Sequence, residues 1–392
     1  MAKYFFPSSF LLFLGNWIGQ ITLNWYVFTI YHNAIYLGLI NFFRLVPILL
    51  ISVWAGSLAD RCDRGKLLKI SITSSFILTT ILCILTFQSE QLPIIVFLLY
   101  SLGRGIMSAI ETPVRQAVLP DLTHRLTTTQ TVAYHSFIIN ICRSIGPAIA
   151  GFIMATYNAQ ISFSVQAICY FISLLLCLPL SFSQNMLSKV SSEVSFRYVI
   201  DYFKDNQVGA RIFVTSLLIM ATGFTYTTLL PVLTDKTFPN QVTIFGSAMT
   251  CCAIGGIIAT IVLPNILEKI SMVKMYYISS ILFGFALLCT VSSNIYLLFT
   301  ALFFIGLFSQ WARTTNRIYF QLRVEPEHRG KILSVVMMDR GMIPLGAMIM
   351  SFLAELIGII ETFIIMGTST FVIALLFSVI TRRQRKNGGS TV

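Results

Sequence analysis

The 392-residue sequence has few charged residues and no hydrophilic stretch long enough to form a separate soluble domain. Asp, Glu, Lys and Arg make up only 11% of the residues, whereas 56% are hydrophobic, and the mean hydropathy is +0.81. Soluble domains carry about 25% charged residues, so this composition excludes an ordinary soluble protein. It predicts a chain that lies mostly within a lipid bilayer.

The sequence also lacks the short motifs of nucleotide binding and of hydrolysis. No P-loop, GxGxxG, HExxH or GxSxG pattern occurs. Only four histidines are present, scattered along the chain, and the eight cysteines show no disulfide or metal-ligand spacing. We therefore expect no enzymatic activity, no ATP-driven transport, no cofactor and no metal site.

Twelve apolar segments are long enough to cross a bilayer, which needs roughly 20 mostly apolar residues. These segments end near Tyr31, Asp60, Gln88, Arg115, Thr156, Phe182, Val232, Leu267, Val291, Phe320, Glu355 and Ile380. The first continues past Tyr26 with no small-residue cleavage site, so we expect it to be retained as a span. The sequence thus predicts an all-α polytopic membrane protein with twelve transmembrane helices.

The net charge of +12 is distributed as a membrane topology requires. With a cytoplasmic N-terminus, 21 of the 27 Lys and Arg residues fall on the cytoplasmic side and Lys236 alone falls outside. This agrees with the positive-inside rule, so we expect the cell membrane, two cytoplasmic termini and no nucleic-acid partner. The remaining five arginines lie within or at the edges of spans: Arg44, Arg104, Arg143, Arg313 and Arg340.

A hydrophilic stretch in the middle of the chain divides the spans into two sets of six. We predict an N-terminal half at 1–182, a cytoplasmic linker at 183–207 and a C-terminal half at 208–392 with a short basic tail. The segment "EVSFRYVIDYFKDN" predicts an amphipathic helix on the membrane surface. Arg143-x-x-x-Pro147 recurs as Arg340-x-x-x-Pro344 at the same place in the second half, which favours a duplicated transporter architecture.

The loop between the second and third spans reads "GSLADRCDRGKLL", Gly56 to Leu68. It resembles the signature loop of the major facilitator superfamily, although Asp63 stands where most members have glycine. The segments "NWYVFTIYHNAIYLGLINFFRLVP", "ETPVRQAVLPDL" and "NICRSIGPAIAG" are similar to the enterobactin-exporter-like branch of that superfamily, which exports siderophores and related metallophores.

The resemblance implies the major facilitator fold, with two six-helix halves, and transport by alternating access. It also implies a gate latch at the cytoplasmic face, in which an acid at the end of the fourth span pairs with an arginine of the signature loop. The latch residues in this sequence are Asp60, Arg61, Arg64, Glu111 and Arg115. The alternative interpretation of these residues is ordinary solvated charge at a membrane surface.

Ionisable side chains inside a membrane are costly and usually functional. Arg104 and Arg143 lie near the middle of the fourth and fifth spans, and Arg340 has the matching place in the second half. They are candidates for binding carboxylate, phosphate or catecholate groups. The alternative is that each arginine bonds to backbone carbonyls or to a nearby acid as a packing device.

The first span carries three amides four residues apart, Asn16, Gln20 and Asn24, which fall on one slowly drifting stripe of a helix. The first helix lines the central cavity in the superfamily, so these amides are substrate-binding candidates, with hydrogen bonding between helices as the alternative. The seventh span is similarly polar around Tyr226, a further candidate. Two polar cavity helices favour a hydrophilic substrate.

Proton coupling requires a group whose proton affinity changes between the two transport states. The candidates are Glu111, Asp339 and His135. We therefore expect a monomeric, proton-coupled antiporter that moves a small polar, anionic metabolite, such as a siderophore or metallophore, out of the cytoplasm. The alternative is a multidrug efflux transporter of the drug–proton antiporter type.

Overall fold

The computed structural model describes residues 1–89, 91–122, 128–180, 196–239, 241–324, 332 and 335–387. Within this part of the chain the regular structure is helical, without a strand. The helices are α1 (Ala2–Tyr31), α2 (Ala34–Arg61), α3 (Arg64–Gln88), α4 (Ile94–Val118), α5 (Thr128–Thr156), α6 (Ala159–Cys177), α7 (Phe196–Asp205), α8 (Gln207–Thr222), α9 (Tyr226–Thr237), α10 (Val242–Leu267), α11 (Met272–Cys289), α12 (Ile295–Arg323), α13 (Met342–Ile357) and α14 (Ile359–Asn387). Short 3₁₀ turns follow α4 at Leu119–Leu122 and precede α13 at Met337–Gly341.

The described helices account for the twelve predicted spans. Nine helical segments in the described ranges, with Gln207–Thr237 taken as one, combine the length and hydropathy needed to cross a bilayer. The other three spans correspond to α1, to the apolar segment Ala34–Ile48 of α2 and to α13. The prediction of an all-α polytopic protein is confirmed.

Asp or Asn residues cap the starts of several helices, where backbone N–H groups have no partner within the helix. Asp63, which departs from the common signature loop, accepts from the backbone N–H groups of Gly65 at 2.8 Å and Lys66 at 3.1 Å and so begins α3. The same role falls to Asn158 before α6, Asn206 before α8 and Asn294 before α12. Short polar connections therefore define where these helices begin.

The predicted seventh span is two helices, not one continuous helix. The helix α8 ends at Thr222, and α9 begins at Tyr226. At the junction the Thr225 hydroxyl donates to the Thr222 carbonyl at 3.0 Å, and the Thr222 hydroxyl donates to the Leu218 carbonyl at 3.0 Å. These hydroxyl groups bond to backbone carbonyls at the point where the helix is interrupted.

The chain forms two compact units: Met1–Ser188 with Thr234–Thr250, and Lys189–Leu233 with Cys251–Val392. In the first unit α1 packs on α5 and α6, α2 packs on α4, and α3 packs on both α4 and α6. One end of this unit has an apolar core, and its fully buried members include Phe5, Leu68 and Val114. These packings place α1 between α5 and α6, with its polar residues inside the unit.

In the second unit α11 packs on α12 and α14, and α8 packs on α13 and α14. The linker helix α7 belongs to this unit. Val199 of α7 is buried, and the Phe203 ring stacks on Phe213 with centroids 5.1 Å apart. The apolar face that we predicted to meet the membrane surface therefore packs on protein instead, because the aromatic side chains of α8 and α12 cover it.

Candidate substrate-binding site

Arg104 lies at the centre of a buried polar cluster in the first unit. Its side chain extends from α4, is only 4% exposed, and donates to the hydroxyl groups of Ser75 and Tyr170, the latter at 2.7 Å. The guanidinium also lies over the Tyr170 ring, 4.7 Å from its centroid. Hydrogen bonds and the cation–π contact together hold Arg104 in one orientation.

A second arginine, Arg44 on α2, reaches the same place. Both guanidinium groups donate to one oxygen, Asn16 Oδ1 on α1, Arg44 at 2.8 Å and Arg104 at 3.2 Å. The helices α2 and α4 approach closely because residue 105 of α4 is glycine. A Cβ atom at that position would collide with the backbone carbonyl oxygen of Arg44 on α2. Gly105, which follows Arg104 in the sequence, thus allows Arg44 to lie close to Arg104.

The cluster continues onto α6 through Gln166. Its amide donates to Tyr170 and Tyr100 hydroxyls, each at 3.0 Å. Gly15 and Gly19 of α1 face α6, and a Cβ at Gly19 would overlap the Gln166 side chain. This small-xxx-small pair allows the close helix approach that brings the neighbouring amides to the site. The cavity is lined by Asn16, Gly19, Gln20, Leu23, Arg44, Tyr100, Ser101, Arg104 and Gln166.

The electrostatics of this cavity are one-sided. In the described ranges no carboxylate lies within salt-bridge distance of Arg44 or Arg104. The partners that surround them are hydroxyls, amides and a tyrosine ring, so two positive charges are held close together with no described carboxylate at salt-bridge distance. Glu111, the carboxylate that acts on Arg104, does so from farther away. Charges removed from water without a partner are costly, and the arrangement is chemically suited to bind an anion.

The three predicted amides of α1 do not share one role. Asn16 and Gln20 line the cavity, as the helical stripe predicts. Asn24 is 3% exposed and accepts from the Asn41 amide at 2.9 Å, which links α1 to α2. Its environment fits the alternative of helix packing, and the adjacent Trp25 stacks on Phe245 with centroids 5.3 Å apart.

Arg143 and Tyr226, two other predicted binding residues, are not among the described residues that line this cavity. Arg143 on α5 is half-buried. Tyr226 is buried in the second unit, with its hydroxyl 3.1 Å from Cys252 Sγ. The side chain of Arg340 lies outside the described residues.

The second unit contains its own buried polar cluster around Asp339, a proton-coupling candidate. Asp339, in the 3₁₀ turn before α13, is 6% exposed. Its Oδ2 accepts from the Ser216 hydroxyl of α8 at 2.6 Å and from the Asn316 amide of α12 at 3.4 Å. The hydrogen bonds that hold this carboxyl group come from neutral donors on two different helices.

Glu111, the second proton-coupling candidate, forms a buried ion pair. The Arg115 Nε donates to Glu111 Oε1 at 2.9 Å, and the same guanidinium donates to the hydroxyls of Ser9 at 2.6 Å and Ser8 at 3.4 Å. Arg115 is fully buried and Glu111 is 4% exposed. Two of the predicted latch residues therefore bind each other and the start of α1.

The remaining latch and coupling candidates occupy different surroundings. Arg64 donates to the Ala117 carbonyl at 3.0 Å, which joins α3 to α4. The side chains of Asp60 and Arg61 lie outside the described residues. His135 is 4% exposed and lies between the rings of Phe5 and Phe13, at centroid distances of 6.0 and 5.6 Å. Among the described residues, no group of three or more His, Cys, Asp or Glu is arranged to hold a metal ion.

Arg44, Tyr170 and Gln166 were not among the predicted site residues. A signal was present for Arg44, which is one of five arginines within spans and deserved the same weight as Arg104. Tyr170 and Gln166 lie in a segment that is apolar enough to pass as a simple span. Only the contact of Tyr170 with Arg104, and that of Gln166 with Tyr170, reveals their part in the site.

Comparisons with known proteins are consistent with this architecture. Residues 3–388 match the family described as transmembrane secretion effector. The staphyloferrin A transporter of Staphylococcus aureus is 62% identical to this chain over 386 residues, which is 98% of this chain and 97% of that protein. An uncharacterized MFS-type transporter of Bacillus subtilis is 26% identical over 41% of this chain and 37% of its own length.

Among solved structures, the nucleoside transporter NupG superposes with a TM-score of 0.80 at 15% identity, covering 96% of this chain and 99% of the transporter. A transporter of the POT family gives a TM-score of 0.75 at 12% identity, covering 97% and 96%. At these identities the likeness shows the transporter fold alone.

Proposed function

The chain belongs to the transmembrane secretion effector family of the major facilitator superfamily, and from this premise we propose that it exports a siderophore-class metal chelator from the cytoplasm by proton-coupled antiport. It is a membrane transporter, and the proposal adds the substrate, the direction and the coupling. The 62% identical relative is a staphyloferrin A transporter, so staphyloferrin A or a closely similar chelator is the substrate to test first.

One observation carries the proposal: the two guanidinium groups that meet at Asn16 Oδ1 without a carboxylate beside them. Arg44 and Arg104 have charge to offer an anion, and Gln20 adds neutral hydrogen bonding on the same cavity wall. An apolar drug would gain little binding free energy from a cavity lined by arginines and amides. A chelator with ionised carboxylates matches its charge.

For the coupling group we propose Asp339 in preference to Glu111 and His135. Glu111 is bound to the buried Arg115 at 2.9 Å, so a change in its charge would break a buried ion pair. His135 lies between two phenylalanine rings, where a charged imidazolium is poorly solvated. Asp339 accepts hydrogen bonds from the neutral donors of Ser216 and Asn316. The charges of Arg313 and Arg317 act on it from beyond salt-bridge distance, so the proposed proton exchange at Asp339 breaks no salt bridge described in the structure.

The topology and the latch complete the proposal. The distribution of Lys and Arg supports cytoplasmic termini in the cell membrane. In that orientation the pair of Glu111 with Arg115 and the bond from Arg64 to the α4 end lie near the cytoplasmic face. We propose that they belong to a latch with Asp60 and Arg61, and that the protein works as a monomer.

The test is secretion under iron starvation. Cells that lack the gene should lose the chelator from the medium, as measured by mass spectrometry, and the wild-type gene should restore it. Arg104→Ala at equal protein level should reduce export roughly 10- to 100-fold, because hydrogen bonds to charged groups contribute about 1.5–3 kcal/mol. Normal secretion in the deleted strain together with new sensitivity to dyes would instead identify a multidrug exporter.

A further inference from the structure

Asn16 has an unusual position in the cavity of the first unit. Its carbonyl oxygen lies between two guanidinium groups and accepts from both, at 2.8 Å from Arg44 and 3.2 Å from Arg104. An amide oxygen is neutral, so it offers hydrogen bonds but does not compensate either charge. The oxygen therefore stands where the oxygen of an anion would be stabilised far more strongly.

The two arginines differ in how firmly they are held. Arg104 bonds to Ser75 and Tyr170 and lies on the Tyr170 ring, while Gln166 holds the Tyr170 hydroxyl at 3.0 Å. The structure gives Arg44 a single hydrogen bond among the described residues, the one to Asn16. A guanidinium has five N–H donors, so Arg44 keeps donors for an incoming group while Arg104 keeps its orientation.

The amide of Asn and a carboxylate have nearly the same planar shape. A carboxylate that replaced the Asn16 amide could bridge the same two guanidinium groups and would also neutralise part of their charge. A neutral hydroxyl or amide of a ligand would gain nothing over Asn16, since it would only repeat the bonds already made. The cavity thus distinguishes ligands by charge at this one position.

We propose that Asn16 is the internal occupant of the arginine pair, and that substrate binds by exchange: a substrate carboxylate oxygen takes the place of Asn16 Oδ1 between Arg44 and Arg104. This inference rests on the proposed function, because the exchanged carboxylate belongs to the exported molecule. In this proposal Asn16 does not bind the substrate. Asn16 instead competes with the substrate for Arg44 and Arg104, and only an anion displaces it.

The experiment uses the purified full chain in detergent and measures the melting temperature. Asn16→Asp places a carboxylate permanently between the arginines, so the melting temperature should rise by about 3 °C or more, and millimolar citrate, used as a simple carboxylate probe, should stabilise this variant less than wild type. Asn16→Ala should melt lower than wild type and gain more from citrate. In cells Asn16→Asp should abolish chelator export although the protein is more stable.

Asn24→Asp is the matched control. It has the same residue type on the same helix, but Asn24 bonds to the Asn41 amide and not to arginine, so a carboxylate there should lower the melting temperature. If Asn16→Asp also melts lower than wild type, or retains export, the exchange is wrong.

The two proposals fail differently. Suppose that wild-type cells export no chelator while Asn16→Asp is stabilised and insensitive to citrate. The proposed function is then wrong, but the proposal that Asn16 occupies the arginine pair is supported. If export is as proposed and citrate stabilises wild type and Asn16→Asp equally, the exchange falls alone.

Discussion

At the residue scale, this protein stabilises buried arginine in two different ways. Arg115 is fully buried and has a carboxylate partner in Glu111. Arg104 is nearly as buried, yet its described partners are hydroxyls, an amide and an aromatic ring. The charge of Arg115 is compensated by Glu111, whereas Arg104 has no carboxylate of the described chain at salt-bridge distance and can attract an anionic ligand. Burial of an ionisable group therefore does not by itself identify a binding site.

This difference predicts the effect of removing the acid from the complete pair. Glu111→Gln should lower the free energy of unfolding by about 3–5 kcal/mol, since it leaves a buried, uncompensated guanidinium. Thermal denaturation of the purified protein measures the loss. Asp201→Asn is the control, because Asp201 pairs with Lys204 at 3.8 Å on the surface, where such pairs contribute about 0–1 kcal/mol. Equal effects of both substitutions would contradict the assignment.

At the element scale, glycine positions decide how closely helices approach. Gly105 and Gly103 lie two residues apart on α4 but face different neighbours. A Cβ at Gly105 would meet the Arg44 backbone carbonyl, which has no freedom to move aside, whereas a Cβ at Gly103 would meet the end of the Leu78 side chain at 2.8 Å. The contact of α2 with α4 is therefore rigid, and that of α3 with α4 is adjustable.

From this we expect Gly105→Ala to separate α2 from α4 and to move Arg44 away from Arg104. Chelator export should fall at least about tenfold, as a displaced binding group commonly costs that much, and the protein should melt lower. Gly103→Ala should retain most of its export, because Leu78 can change rotamer. Export per unit of protein in the membrane measures both. Full export by Gly105→Ala would show that the close approach is unnecessary.

Two consecutive glycines, Gly255 and Gly256, test the same principle in the second unit. Gly255 of α10 packs against the Phe303 carbonyl of α12, so a methyl group there has no room, while the nearest atom to a Cβ at Gly256 is 3.8 Å away. Gly255→Ala should lower the yield and the melting temperature. Gly256→Ala should leave them unchanged or raise the free energy of unfolding by about 0.5–1 kcal/mol, the usual gain of alanine in a helix. Reversed effects would place the helix contact on the other glycine.

At the scale of the whole molecule, the proposed transport cycle requires that substrate binding in the cavity of the first unit be linked to proton exchange at Asp339, which belongs to the second unit. Asp339→Asn keeps the hydrogen-bond geometry around Ser216 but removes the titrating group. In membrane vesicles we expect substrate exchange to continue while transport driven by a pH gradient is lost. Glu111→Gln should not show this selective loss. Gradient-driven transport by Asp339→Asn would assign the coupling elsewhere.

The sequence predicted the fold well because membrane spans have a strong and local signal. Length, hydropathy and the placement of Lys and Arg were sufficient for twelve spans and their order. The main difference concerns the seventh span, which is divided into α8 and α9 after Thr222. The amphipathic segment at α7 did form a helix, but hydropathy could not show that aromatic residues of the same unit cover its apolar face.

The site was less predictable than the fold. Arg104, Asn16 and Gln20 line the cavity of the first unit, as expected for polar groups that need a partner within a span, and their part in substrate binding stays a prediction. Arg143 was grouped with them because it lies near the middle of the fifth span, yet it is not among the described residues that line the cavity. A helix surrounded by lipid and protein is apolar on nearly every face, so its pattern does not indicate which face is turned inward.

The sequence by itself determined that this is an all-α transporter with buried arginines and a signature loop, since composition, charge placement and motif are properties of the chain. Only the tertiary structure decided that Arg44 joins Arg104 at Asn16, that Asn24 packs against Asn41, and that Asp339 meets Ser216 and Asn316. The physical reason is that these pairings depend on the rotation and close approach of whole helices. For the two arginines, Gly105 allows the close approach of α4 to the Arg44 carbonyl on α2.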